Sequence, residues 1–379
     1  MPRTHRLLKR ALAASAAALL ATSAAHAQVG FMNPGWTITH PDGRSEAVPS
    51  LIFYPTNAAA SSMRLGPFEV VATPGAAPTP GRHPLVVISH GTGGSELAHA
   101  WLAQALAADG YVVLALRHPG DNYQDRSAVA RSDYFSQRPR QVTQVLDAVL
   151  ADTRWRALID TRRIAAIGHS AGGHTVLALA GGRPDRARVL QHCAPLGAGW
   201  REDAAMCRLG DPSVNVSVPV PATDAPARAA PVAPAVASAP TPALAATAPT
   251  QPMSPPTASA LPDVTDARIR AVLAFAPLGI ALQPASLAAI TLPVALEWSE
   301  ADEVLAYKHH GQALCAAMPK VSCEQHALAG HYAAFHPGTG RLGVPGLDPS
   351  EDPQGFDRRA WQALALQRVR AFLARNLGL

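Results

Sequence analysis

Gly168, Ser170 and Gly172 frame a serine as Gly-X-Ser-X-Gly. The motif follows four apolar residues, Ile164, Ala165, Ala166 and Ile167, and precedes a helix-like run at 175–180. Strand, sharp turn, helix is the order that presents a serine hydroxyl at the end of a strand. The turn strains the serine backbone, so the residues two positions to either side must be small. A helix beginning at the serine points free N–H groups and the positive end of its dipole at any negative charge formed there. Such a hydroxyl can attack a carbonyl carbon. An inert Gly-rich turn also fits the bare motif; the flanking strand and helix favour the reactive reading.

A serine hydroxyl is a poor nucleophile at neutral pH. It needs a base, an acid to orient the base, and donors for the developing oxyanion. In a strand–turn–helix setting the chain order is serine, acid, histidine. Asp302 follows a strand-like segment at 292–298 and is the expected acid, with helix capping as its competing role. Glu300 is the second choice. Glu297 lies within the strand and is expected to pair structurally. His331, beside Gly330 and after a short strand-like stretch at 323–328, is the expected base. With 15 histidines in the chain, position must decide. His326 falls inside the strand, and His336 is the fallback. His169 and His174 flank Ser170 too closely to serve as its base and are expected to support the site or the core. Two backbone N–H groups should hold the oxyanion: that of Ala171, and that of Thr92 in the glycine-rich run 90–94. No phosphate-binding glycine pattern occurs in that run.

These groups must be carried by a sheet. Strand-like segments are expected at 36–39, 51–54, 85–89, 111–116, 164–167, 268–276, 292–298 and 323–328. Helices are expected at 96–108, 141–150, 175–180, 303–318 and 359–377, with Gly110 just past the first of them. Asp42 and Gly43 supply turn chemistry between the first two strands. The continuous apolar strands, alternating with helices, predict an α/β fold: a mostly parallel sheet with helices on both faces.

Residues 1–27 read as a secretory signal peptide. Arg3, Arg6, Lys9 and Arg10 form a positive leader, residues 11–21 are small and apolar, and Ala25 and Ala27 fit the cleavage pattern. Removing those four basic residues from a formal charge of +5 leaves about +1. Neither a nucleic-acid footprint nor an anionic-membrane footprint is expected, and no later run is apolar long enough to span a bilayer. Residues 28–379 are expected to form one domain, interrupted by an insertion at about 213–262. That insertion is nearly all Pro, Ala, Thr, Ser and Val and is expected to be disordered. An exported chain favours disulfides. Of three pairings of Cys193, Cys207, Cys315 and Cys323, the local ones, 193 with 207 and 315 with 323, are preferred. No Cys-X-X-Cys spacing suggests a metal.

These pieces resemble α/β-hydrolases of the dienelactone hydrolase-like group, close to bacterial relatives of platelet-activating factor acetylhydrolase. The resemblance rests on 84–95, 110–113, 117–122, Arg138 and Pro139, 168–173, 301–304 and 330–332, and covers most of the chain outside the leader and the insertion. It implies the α/β-hydrolase fold and ester hydrolysis without metal or cofactor. Dienelactone hydrolases carry a cysteine where Ser170 stands, which argues against dienelactone as substrate. Secreted cutinase-like polyesterases carry similar serine machinery, so a polyester substrate is an open alternative to a small or lipid-like ester. A peptidase or amidase, and a non-catalytic binding protein on the same scaffold, are the rival readings. The expected protein is a monomeric hydrolase of the periplasm or the extracellular space.

Overall fold

The computed structural model describes residues 28–40, 42–197, 199–208, 262–343 and 348–378. The expected leader, and the expected insertion up to residue 261, lie outside the described residues.

The described residues open with five strands, β1 Gln28–Met32, β2 Gly35–Thr39, β3 Ser45–Thr56, β4 Ser61–Leu65 and β5 Phe68–Pro74. The expected pairing of the second and third is antiparallel. Then come β6 His83–Ser89, α1 Ala100–Ala108, β7 Val112–Leu116, α2 Tyr134–Ala151, α3 Thr153–Leu158, β8 Ile159–His169 and α4 Ala171–Leu179. Three short helices follow: α5 Arg186–His192, α6 Gly199–Glu202 and α7 Ala204–Arg208. The rest is β9 Ile269–Phe275, α8 Pro284–Ala288, β10 Val294–Ser299, α9 Gly311–Ala317, β11 Ser322–His326 and α10 Arg358–Leu377.

The strands form one sheet in the order β11-β10-β9-β8-β6-β7-β3-β1-β5-β4, with β2 paired to β3. From β11 to β7 every pairing is parallel. β3 joins β7 antiparallel and begins the N-terminal edge. Alternation along the strands builds two cores. Leu85, Val87, Val112, Leu114, Ile164 and Ala166 face α2 and α4. Val86, Ile88, Val113, Ala115, Ala165 and Ile167 face α1 and α10. Helices cover both faces, so these strands are apolar throughout. α10 contributes Trp361, Ala365, Val369 and Leu373 at intervals of four residues, one buried stripe. Burying a leucine of that stripe contributes about 1.5–3 kcal/mol.

Pro139 lies inside α2 and has no N–H for the carbonyl of Phe135, one turn earlier. His174 Nε2 donates to that carbonyl instead, at 3.0 Å. A helix defect is thereby satisfied from the neighbouring α4.

Two helix expectations need correction. The helix expected at 96–108 begins at Ala100, because 95–99 form turns in which the Ser95 side chain takes the N–H of Leu97. The helix expected at 303–318 is confined to Gly311–Ala317. Side-chain carboxylates take the backbone N–H groups before it: Asp302 those of Val304 and Leu305, Asp203 that of Ala306. No helix was expected at 186–208, where α5, α6 and α7 lie. Disulfides join Cys193 to Cys207 and Cys315 to Cys323, with Cα–Cα separations of 5.5 and 6.3 Å.

Candidate active site

Ser170 directly follows β8 with φ 55° and ψ −118°, the strained geometry the motif requires. Its N–H donates to Phe275 O at 3.0 Å, and its carbonyl accepts from Leu278 and His174. A Cβ on Gly168 would overlap the Gly172 carbonyl, and one on Gly172 would overlap the Ser89 carbonyl. Both glycines are therefore required by backbone contact.

Ser170 lines a cavity of about 500 Å³ that His331 and residues Gly91, Thr92, Gly93 and Gly94 also line. Phe31, Leu65, Phe68, Leu97, Val304, Tyr332, Phe335 and Leu342 make its walls largely apolar. A Cβ on Gly91 would sit 3.2 Å from that of Ser170, so the glycine-rich loop lies directly against the serine. Ala171 starts α4, one residue on.

His331 opens a short 3-10 turn after Gly330 and is buried. Its Nδ1 lies 2.8 Å from Asp302 Oδ2. A carboxylate only accepts, so Nδ1 carries the proton and Nε2 keeps its lone pair. Glu303 Oε2 accepts the His331 backbone N–H at 3.2 Å. Burial is the largest influence on His331 and pushes its pKa down. The charge and hydrogen bond of Asp302, with the charge of Glu303, outweigh it and leave the pKa above the ordinary 6.5.

The other acidic and histidine candidates are placed elsewhere. Glu300 is exposed. Glu297 is buried, 2.6 Å from His326 and ion-paired to Arg368. His336 bonds to the Glu69 carbonyl at 2.9 Å. His169 donates Nε2–H to the His331 carbonyl at 2.8 Å, and its ring lies 4.9 Å from that of His331. Burial first, then the His331 charge, hold His169 neutral. His169, expected to support the site or the core, thus braces the His331 backbone; the Glu303 contact, made to a backbone N–H, leaves no motif in the sequence.

Among the described residues, one buried trio could be considered for a metal: His192, Asp203 and His310. The hydrogen bonding argues against it. His310 Nδ1 accepts the N–H of Gly279 at 3.1 Å, so the neutral ring carries its proton on Nε2, which faces Asp203 Oδ2. That nitrogen has no lone pair to offer. Asp203 instead gathers His192, His310 and the Ala306 N–H, tying the disulfide-closed segment to the loop after Asp302.

A sequence model described as "Alpha/beta hydrolase family" matches residues 85–340. Over 120 residues the chain is 34% identical to Cutinase est1 of Thermobifida alba, covering 31% of this chain and 37% of that protein. It is 30% identical over 131 residues to a bis(hydroxyethyl) terephthalate hydrolase of Streptomyces coelicolor, 35% of this chain and 37% of that one. These matches span little more than a third of the relatives' lengths. A solved ferulic acid esterase from Streptomyces cinnamoneus shares the fold, with TM-score 0.55 over 94% of this chain and 92% of the other, at 16% identity. With the family match extending from β6 past His331, the chain belongs to the alpha/beta hydrolase family.

Proposed function

We propose that this protein is an exported serine hydrolase that cleaves carboxylic esters through an acyl-enzyme. The observation that carries the reading is the 2.8 Å Asp302–His331 bond beside a cavity that Ser170, in its strained turn, lines too. His331 Nε2 takes the Ser170 proton as Oγ attacks the ester carbonyl, and Asp302 stabilises the imidazolium. The N–H groups of Ala171 and Thr92 receive the oxyanion. His331 then protonates the leaving alcohol, and a water, deprotonated by the same ring, releases the acid.

The large apolar cavity suits an extended or aromatic ester. The names of the partial relatives, a cutinase and a terephthalate-ester hydrolase, favour a polyester or its fragments. Within the family, the serine motif and the 301–304 and 330–332 pieces support kinship with dienelactone hydrolase-like and acetylhydrolase-like members. We take residues 28–379 as one domain carrying an insertion, and 1–27 as its export signal; the two disulfides agree with an extracellular or periplasmic location.

The test is a series of p-nitrophenyl esters of increasing acyl length, run beside a peptide substrate, with fluorophosphonate labelling of wild type and Ser170→Ala. Ester turnover and labelling that vanish in Ser170→Ala are expected. Peptide cleavage exceeding ester cleavage would move the reading to a peptidase, and an unlabelled wild type would leave a binding protein.

A further inference from the structure

Behind the glycine-rich loop lies a buried ion pair that the proposed chemistry does not touch. Arg138 and Asp121 are 2% and 1% exposed. Asp121 Oδ1 accepts the Gly93 N–H at 2.9 Å. Its Oδ2 accepts from Arg138 and, at 2.6 Å, from the Tyr134 hydroxyl. With its proton committed there, the Tyr134 oxygen accepts from Thr92 Oγ1, 3.0 Å away. Arg138 Nη2 donates to the His90 carbonyl. Loop residues 90, 92 and 93 are thus each held by one cluster.

The same guanidinium reaches the other side of the serine. Arg138 Nε donates to Thr175 Oγ1 at 3.2 Å, and that hydroxyl donates to the Ala171 carbonyl at 2.8 Å. One side chain therefore braces both segments whose N–H groups are to meet the oxyanion. A planar guanidinium has separate donors for each of these directions; an ammonium has no such fork. As a stability device a buried ion pair is poor, since desolvation cancels most of its attraction.

We propose that Arg138, Asp121 and Tyr134 are positioning residues that set the spacing of the Thr92 and Ala171 N–H groups and so tune stabilisation of the tetrahedral intermediate. The inference rests on the ester-hydrolase reading. It predicts a loss confined to the transition state: kcat falls while KM stays.

The experiment compares wild type with Tyr134→Phe, Arg138→Lys and Arg138→Met, reading kcat, KM, the pH profile, thermal midpoint and inhibition by phenylboronic acid, whose serine adduct is tetrahedral. For Tyr134→Phe, kcat should fall about tenfold and boronate affinity should weaken in parallel, with KM nearly unchanged; a full donor loss costs about 10²–10³. The acid limb of the pH profile should not move, because His331 is not part of the cluster. Arg138→Lys should fall below Tyr134→Phe. Should both Arg138 variants fail to fold, Tyr134→Phe alone decides. A lowered melting temperature with kcat and boronate affinity unchanged would overturn the inference and leave the cluster structural. A wild type with no esterase activity would instead overturn the ester-hydrolase reading, and the inference with it.

Discussion

Asp302 uses its two oxygens on two different elements. Oδ2 holds His331 Nδ1 at 2.8 Å, while Oδ1 closes a turn on the N–H groups of Val304 and Leu305 at 2.9 and 2.7 Å. With no helix to cap before Gly311, the carboxylate closes a turn with one oxygen and holds the His331 ring with the other.

Asp302→Asn separates the two roles. An asparagine oxygen can still close the turn, but an amide facing Nδ1 no longer demands the productive tautomer. Turnover should drop by about 10⁴ with little change in melting temperature. Glu300→Gln, at an exposed site, should be mild. Kinetics of the two purified variants check this; the reverse ranking would move the acid to Glu300.

In the proposed mechanism the pH dependence follows from His331, which must be neutral to accept the Ser170 proton. Its pKa lies above 6.5, so kcat/KM should rise with pH through a midpoint above that value. Glu303 is one of the charges holding it up. Glu303→Gln should shift the acid limb to lower pH, and an unmoved or raised midpoint would contradict the assignment.

Stability should fall in mild acid. His90, His118 and His169 are held well below their ordinary pKa by burial, and His99 and His174 are pushed down to about 4. These rings stay neutral in the fold but gain protons once unfolded. The unfolded state therefore binds more protons below about pH 6.5, and stability declines from there toward pH 4. Each unit of separation is worth about 1.4 kcal/mol. His331 works in the opposite sense, losing stability as pH rises through its raised pKa, but it is a single group. Urea midpoints at neutral pH and near pH 5 test it; equal midpoints would refute it.

The Cys193–Cys207 bridge joins residues at a sequence separation of 14, and a loop of that size contributes about 3 kcal/mol in the chain-entropy view. Asp203 and Ala205 sit inside it, the first anchoring the loop after Asp302, the second lining the cavity. The Cys193→Ser/Cys207→Ser double variant should melt lower and bind ester more weakly. Differential scanning calorimetry and KM measurements would show it.

The sheet was legible because β6, β7 and β8 are buried on both faces and read as unbroken apolar runs. Ser170 was legible because its turn needs glycines at fixed positions. The start of α9 was not, since the N–H groups ahead of it are taken by Asp302 and by Asp203, a residue 103 positions from Ala306. Arg138 and Asp121 stand in stretches that sequence alone linked to the family, yet nothing local says that they meet. Partners chosen by tertiary approach leave no periodicity to read.

The cavity is assembled from two kinds of material. Ser170 and the 90–94 loop follow directly from β8 and β6, and Asp302 and His331 from loops just beyond β10 and β11. Much of the wall comes from peripheral pieces: Leu65 and Phe68 from the β4–β5 hairpin, Ala205 from the disulfide loop, and Leu342 and Pro349 ahead of α10. Exchanging a wall segment leaves the strand ends where they are. Selection, natural or in the laboratory, can therefore reshape what this cavity admits by editing its margins, with Ser170, Asp302 and His331 held on a frame that those edits do not reach.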